Sequence, residues 1–389
     1  SLSMKRKAFI KNSALTAFSI STFGIKNSFS NSMATANTIK VNSNRISNRI
    51  FELAKFGLDD KGRGYRVAYT KADIEGRAWF MDLMKKAGLN PIIDAAGNII
   101  GKRKGKNASL KPIAFGSHID MVPDGGNYDG TVGSIGALEI IETLNENNII
   151  TDHPLELIIF ANEEGGTIGS IAMVGNLTPE GLLQKSQSGV TMAEGIKAIG
   201  GNPDHIQSCI RYKGDLHAWL ELHIEQGGIL ESENLKIGVV EGIVGLRHWI
   251  VTLEGFANHA GTTPMNRRQD ALLAASKFII AVNEVVNSVE GNQVGTVGKM
   301  ALQPGAYNVI PGKVVLGLEI RDLSDDKIDM LFAQIEKRAA IIANESKVKI
   351  IFELEANASK PALTNKVLQQ AIFNASNELG LNFIKIYLV

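Results

Sequence analysis

Cysteine is almost absent from this 389-residue chain. Cys209 is the only one, which excludes an internal disulfide and any Cys-rich zinc site. A metal, if bound, must be held by His, Asp and Glu. An excess of charge of either sign is also lacking. Lys and Arg number 41 against 40 Asp and Glu, a formal net charge of +1. No basic patch stands outside the first few residues, so no nucleic-acid partner is expected. No run reaches the ~18 apolar residues of a membrane-spanning helix. What is present is the composition of an ordinary globular protein, 44% hydrophobic and 21% charged. The chain is long for one hydrophobic core, and two domains are expected.

Residues 1–38 read differently from the rest. Lys5-Arg6-Lys7 precedes Phe9-Ile10-Lys11, then a small, mildly apolar run from Ser13 to Ile25 and a Ser/Asn-rich stretch to about Thr38. A charged segment followed by an apolar one is the plan of an export signal, and the Lys-Arg-x-x-Phe-Ile-Lys run resembles a degenerate twin-arginine signal, which implies export to the periplasm. The alternative is a cytoplasmic leader without structure.

From Ile39 to about Gly57 the pattern is helical. Asp73 to Ala87 predicts an amphipathic helix with Trp79, Phe80, Leu83, Met84 and Ala87 on one face, Asp73 able to cap its start and Gly88 ending it. Apolar runs of strand length follow, one ending at His118 and one, Leu155 to Phe160, ending at Asn162-Glu163-Glu164, with a helical pattern from Val132 to Asn145 between them. Such alternation indicates an α/β domain whose mixed, mainly parallel sheet is covered on both faces, with ligands beyond the carboxyl ends of its strands. After about Gly238 the pattern changes. Leu246–Leu253, Val294–Leu302, Val314–Ile320 and Val348–Leu354 read as strands, and Arg268–Val286 and Ser324–Asn344 as helices. That β-α-β-β-α-β order is the split ferredoxin-like plan of a small α+β domain. A further amphipathic helix, Asn365 to Leu379, follows it. The expected division is a catalytic domain over 39–240 and 355–389, interrupted by a lid over 241–354.

Three motifs carry chemistry. In Gly116-Ser117-His118-Ile119-Asp120, the two-residue spacing turns His118 and Asp120 the same way in extended backbone, so Asp120 can accept the second imidazole N–H of a metal-bound His118. Asp129, before Gly130 and a helix, can bridge two cations. Glu163-Glu164 ends a buried strand, where two carboxylates are costly without a cation or hydrogen bonds. In Trp219 to Gln226, Leu220, Leu222 and Ile224 alternate with Glu221, His223 and Glu225, which predicts a strand with His223 on its polar face. Each motif alone is common in proteins without metals. Their conjunction points to a metal centre.

Together these motifs resemble the hydantoinase/carbamoylase branch of the metallopeptidase family that includes carboxypeptidase G and aminoacylase-like enzymes. The resemblance rests on Gly-Ser-His-Ile-Asp (116–120), Asn-Tyr-Asp-Gly-Thr-Val-Gly (127–133), Asn-Glu-Glu-Gly-Gly (162–166) and Glu-Leu-His-Ile-Glu-Gln-Gly (221–227). Farther along are Asn-His-Ala-Gly-Thr-Thr-Pro-Met (258–265), Asn-Val-Ile-Pro-Gly (308–312) and Glu-Ile-Arg-Asp (319–322). It implies metal-dependent hydrolysis of a linear C–N bond in an N-carbamoyl amino acid, allantoate or a related ureido acid. It implies two zinc or manganese ions, with His118 and His223 on one, Asp129 bridging and Glu164 on the second. Glu163 would be the general base, supported by Asp120, and Gln226, His259, Asn308 and Arg321 would contact substrate. The lid would pair two copies into a homodimer.

The family's pattern also carries a last ligand histidine in a Gly-His-Asp-Ala-like segment near the C-terminus. No histidine follows His259 here, so the expected second site is incomplete, and a truncated chain or a defective protein is expected. Two other readings compete. One is a dipeptidase or aminoacylase relative, against which His223 with Gln226 argues. The other is a metal-poor remnant that binds small acids.

Overall fold

The structure is a computed structural model, and it describes residues 39–355 and 358–388. The segment read as an export signal, 1–38, lies outside the described residues. By its contacts the chain divides into two compact units, Ser1–Gly227 and Gly228–Val389.

The first unit is built on a five-stranded sheet. Its strands are β1 (Ile92–Ile93), β2 (Ile99–Arg103), β3 (Ile113–His118), β4 (Leu155–Phe160) and β5 (Ala218–Leu220), in the order β1-β2-β4-β3-β5. β3 runs parallel to both β4 and β5, while β2 joins β4 and β1 joins β2 antiparallel. The sheet is thus mixed, as expected: β4, β3 and the edge strand β5 are parallel, and β2 and β1 continue it antiparallel.

Both faces are covered, which is why β3 and β4 are nearly continuous apolar runs. Phe115, Leu157 and Ile159 pack with Phe80, Met84, Ile135, Leu138 and Ile141 on one side. Ala114 and Ile158 pack with Ile100, Met173 and Trp219 on the other. Full burial of each large aliphatic side chain contributes about 1.5–3 kcal/mol.

The helix Ser43–Ala54 starts at Asn42, whose side chain accepts from the Arg45 amide. Arg45 then ties it to the helix Thr131–Glu146 through fully buried Glu139, at 2.6 and 2.7 Å. The helix expected to start at Asp73 runs from Lys71 to Lys86. Its cap is Thr70, and Asp73 lies inside the first turn, buried, accepting from the Tyr69 amide at 2.8 Å. A hydroxyl three residues upstream reached the free amide first.

The second unit contains β6 (Ile237–Ile243), β7 (Gly245–Glu254), β8 (Asn258–His259), β9 (Val294–Gln303), β10 (Val309–Ile310), β11 (Lys313–Asp322), β12 (Lys349–Leu354), β13 (Ala362–Leu363) and β14 (Phe383–Leu388). An antiparallel sheet of order β12-β7-β11-β9 carries the helices Ala271–Ser288 and Asp325–Ser346 on one face. Strict alternation along β11 makes that face: Val314, Leu316, Leu318 and Ile320 point into the core and their neighbours do not. Phe332 stacks on Trp249 at 4.2 Å in the same core.

Among the described residues, Ala271–Ser288 is long and apolar enough by composition to cross a membrane, which the run-length reading did not find. Ala274, Phe278, Ala281, Val282 and Val285 bury one stripe of it in this core, and Lys277 and Glu284 lie outside that stripe.

A smaller sheet, β13-β6-β14, completes the unit, with β14 parallel to β6. These pairings join segments that the expected division gave to the catalytic domain to one another, and by contact they fall in the second unit.

Candidate metal centre

Because β3, β4 and β5 are parallel, their carboxyl ends share one edge of the first sheet, and the chain segments leaving that edge bring the chemistry together. His118 is the last residue of β3, and Glu163 follows β4 by three residues. His223 follows β5 by three. Asp129 arrives from the turn that enters the helix Thr131–Glu146. The strand expected through Trp219 to Ile224 ends at Leu220. β5 is an edge strand paired on one side alone, and from Glu221 the chain leaves the sheet, so that Leu222 is half exposed.

Each imidazole is anchored from behind. His118 Nδ1 lies 3.1 Å from the Asp120 carbonyl oxygen, and His223 Nδ1 lies 2.7 Å from that of Ile224. A carbonyl can only accept, so in the neutral imidazole each Nδ1 carries the proton and each Nε2 turns a lone pair forward. Both point at one atom: Asp129 Oδ1 is 3.0 Å from His223 Nε2 and 3.9 Å from His118 Nε2. That oxygen is buried and has no partner besides the rings it faces, while Oδ2 accepts from Gln226 Nε2 at 2.5 Å. Three acceptors of three residues thus converge within 4.8 Å.

The expected role of the Asp120 carboxylate is shared differently. It stands 3.6 Å from His118 Nδ1, farther than its own carbonyl, and accepts from the amides of Glu163 and Glu164 at 3.2 and 3.0 Å. It therefore holds the turn that presents the two glutamates. Glu163 Oε2 lies 3.6 Å from His118 Nε2. The Glu164 carboxylate is outside the convergent set among the described residues.

The electrostatics ask for a cation. Burial works against a charged His118, yet Asp120, Glu163 and Glu164 outweigh it and push its pKa up to about 9. Asp129 raises His223, and His223 in turn holds Asp129 below the ordinary carboxylate range. Burial first, and then the surrounding carboxylates, raise Glu163 and Glu164. Protons on the imidazoles can supply the positive charge. A divalent ion supplies it better, since two neutral imidazoles and a carboxylate are its usual donors. The residues present fit one such ion.

Two supporting residues were not singled out from sequence. Arg66, fully buried, donates to the carbonyls of Ile119 (2.6 Å) and Leu53 (2.8 Å), and its own carbonyl accepts from Met121. It clamps the segment after β3 from behind. Ser117 donates to Glu221 at 2.6 Å and links the ends of β3 and β5. Neither carries a local signal, since a loop arginine and a strand serine are usually exposed or incidental.

Of the other expected site residues, His259, Asn308 and Arg321 belong to the second unit and stand in two separate places. His259 pairs with Val309 across β8 and β10, and the Asn308 carbonyl accepts from Ala260 at 2.9 Å, so these two are neighbours, both exposed. Arg321 lies near the far end of β11, paired with Glu319.

A parallel sheet edge that gathers two histidines, an aspartate oxygen facing both and a half-buried glutamate defines a metal-dependent hydrolase. Residues 114–386 match the profile of peptidase family M20/M25/M40, and the chain belongs to that family, in its hydantoinase/carbamoylase branch. It is 38% identical over 345 residues to an N-carbamoyl-L-amino acid amidohydrolase of Geobacillus stearothermophilus, covering 87% of this chain and 84% of that protein. It is 36% identical over 360 residues to a ureidoglycolate hydrolase of Arabidopsis thaliana, covering 89% and 75%. Among solved structures, an amidase of the hydantoinase/carbamoylase family from Burkholderia multivorans superposes with a TM-score of 0.83 at 36% identity, over 90% of this chain and 85% of that one.

Proposed function

We propose that this chain hydrolyses the linear C–N bond of an N-carbamoyl amino acid or a related ureido acid such as ureidoglycolate or allantoate. The observation that carries the reading is the convergence of His118, His223 and Asp129 with Glu163 beside them. The names of the similar proteins support the substrate class.

In this reading His118, His223 and Asp129 hold zinc or manganese. A bound ion of this kind polarises a carbonyl and lowers the pKa of water. Glu163 takes the proton of the attacking water on its carboxylate and returns it to the leaving nitrogen. A carboxylate beside a cation suits both halves of that transfer, since it can accept a proton from the water and give it up again. Asp120 fixes the Glu163 backbone, and Gln226 orients Asp129 or, once released, the substrate.

Arg321 is the grip on the substrate carboxylate, for which a planar guanidinium is suited. His259 and Asn308 cannot join it on one small substrate within one chain. Lys313, which begins β11 near β10, and Arg321 are eight residues apart in extended strand, about 26 Å at ~3.3 Å per residue. This separation supports a two-fold homodimer in which the α+β domain acts as the lid and sends His259 and Asn308 to the other copy's site. The same reading keeps 1–38 as a twin-arginine-like export signal.

The test is ammonia release from N-carbamoyl amino acids, ureidopropionate, allantoate and ureidoglycolate, beside dipeptides and N-acetyl amino acids, with protein loaded with zinc or manganese. Ammonia from at least one carbamoyl or ureido acid is expected. Cleavage confined to dipeptides or acyl amino acids, or no hydrolysis by protein that holds metal, overturns the reading.

A further inference from the structure

The face of the β12-β7-β11-β9 sheet that carries no helix bears a chain of three side chains. Register sets Glu319 of β11 directly opposite His248 of β7, and Arg321 follows two residues later on the same face. Glu319 Oε1 accepts from Arg321 Nε at 2.7 Å and Oε2 from Nη2 at 3.0 Å, while His248 Nε2 stands 2.5 Å from Oε2. All three are about one-quarter exposed, at 25–26% of the side chain. Arg321 and then His248 hold the Glu319 carboxyl below its ordinary range, so it is ionised at neutral pH.

A guanidinium has two edges that can take a carboxylate: Nε with one Nη, and the Nη pair. Here Glu319 occupies the first. The Nη1–Nη2 edge is left to a ligand, and among the described residues no other hydrogen bond of Arg321 is present. Resting on the reading of Arg321 as the substrate grip, we propose that Glu319, braced by His248, is the positioning residue that fixes this guanidinium and selects its Nη1–Nη2 edge for the substrate carboxylate. An arginine near the end of a strand otherwise loses rotamer freedom when it binds, and a cross-strand brace removes that loss beforehand. Glu319 also cancels most of the arginine's charge. Binding then depends on the two-point geometry of a planar carboxylate more than on attraction for any anion.

The experiment measures calorimetric dissociation constants on the metal-loaded full chain, with Glu163→Gln added to stop turnover. The ligands are an N-carbamoyl amino acid and its carboxamide analogue. Glu319→Ala should weaken the acid about tenfold and the carboxamide less than twofold, and Glu319→Gln, which keeps one acceptor, should fall between. The carboxamide controls for folding, because a damaged sheet weakens both ligands alike. Equal weakening of acid and amide overturns the proposal. So does an unchanged affinity in both Glu319 variants while Arg321→Ala weakens the acid. Arg321→Ala without effect on the acid overturns the functional assignment of Arg321 itself, and the positioning role with it.

Discussion

Gly130 lies flat against the imidazole of His118. A Cβ built there would stand 2.5 Å from three atoms of the ring, Cε1, Nδ1 and Nε2, and the backbone at Gly130 has φ +60°. The glycine is thus required twice, by the left-handed turn that delivers Asp129 and by the ring it supports. Gly130→Ala should push the ring off its Nε2 line to Asp129. Metal affinity should fall about 10–100-fold, as when a supporting partner of a ligand is lost. Chelator competition measures it, and wild-type affinity would show that the ring can yield.

Glu163→Gln keeps the shape of the side chain and removes its basicity. Turnover should drop by about 10²–10⁴, with the metal content of the purified protein unchanged because Glu163 is outside the three-donor set. A variant with normal kcat would remove Glu163 from the mechanism.

Metal content itself is a discriminating number. His118, His223 and Asp129 form the three-residue donor group of the described residues, and Glu164, which the expected second ion would share with Asp129, is outside it. Two oxygen ligands hold a transition metal far more weakly than a set with two imidazoles. One tightly bound metal per 389-residue chain is expected from titration with zinc or manganese, with protons released as the imidazoles deprotonate. Two equally tight sites would contradict this.

The proposed homodimer, in which His259 of the β8–β10 pair serves the other copy's site, leads to a complementation test. Homodimers of His259→Ala and of His118→Ala should each be inactive. Mixed dimers should regain part of the activity, since one of their two sites has both residues intact. Failure of rescue, with exchange of subunits demonstrated, would remove the shared site.

Asp73 supplies a pH dependence. Burial pushes its pKa up to about 6, with Asp120 adding to burial and Arg77 opposing it. A carboxyl raised in the folded state is costly when ionised. The cost is absent below the unfolded value near 3.8, grows as pH rises, and is complete above about 6. At ~1.4 kcal/mol per pKa unit it reaches at most about 3 kcal/mol. Asp73→Asn retains an acceptor for the Tyr69 amide, so it should gain stability relative to wild type at pH 8 and not at pH 4. Urea unfolding at the two pH values gives the comparison, and equal differences at both would show that Asp73 is not raised.

The chemistry of the site was legible before any fold. A chain with one cysteine must bind metal through His and carboxylates, and the acidic and histidine residues that leave β3, β4 and β5 stand out against apolar runs. The order of the four long strands and two helices of the β12-β7-β11-β9 sheet was legible too, because periodicity reports which side of an element faces a core, whereas the shorter strands and β6 and β14 were not anticipated. Other relationships arise from the pairing of segments far apart in the chain. The Asp129 oxygen between two Nε2 atoms depends on parallel strands 40 to 100 residues apart ending at one edge. The end of β5 at Leu220 depends on its place at the sheet edge, which alternation in sequence cannot report. Thr70 rather than Asp73 caps its helix because the buried Tyr69 amide claimed the aspartate. The roles of Arg66 and Glu319 were hidden for the same reason: a guanidinium under β3 takes its carbonyl partners from packing, and Glu319, though two residues from Arg321, takes His248 from strand register, which only the folded chain determines.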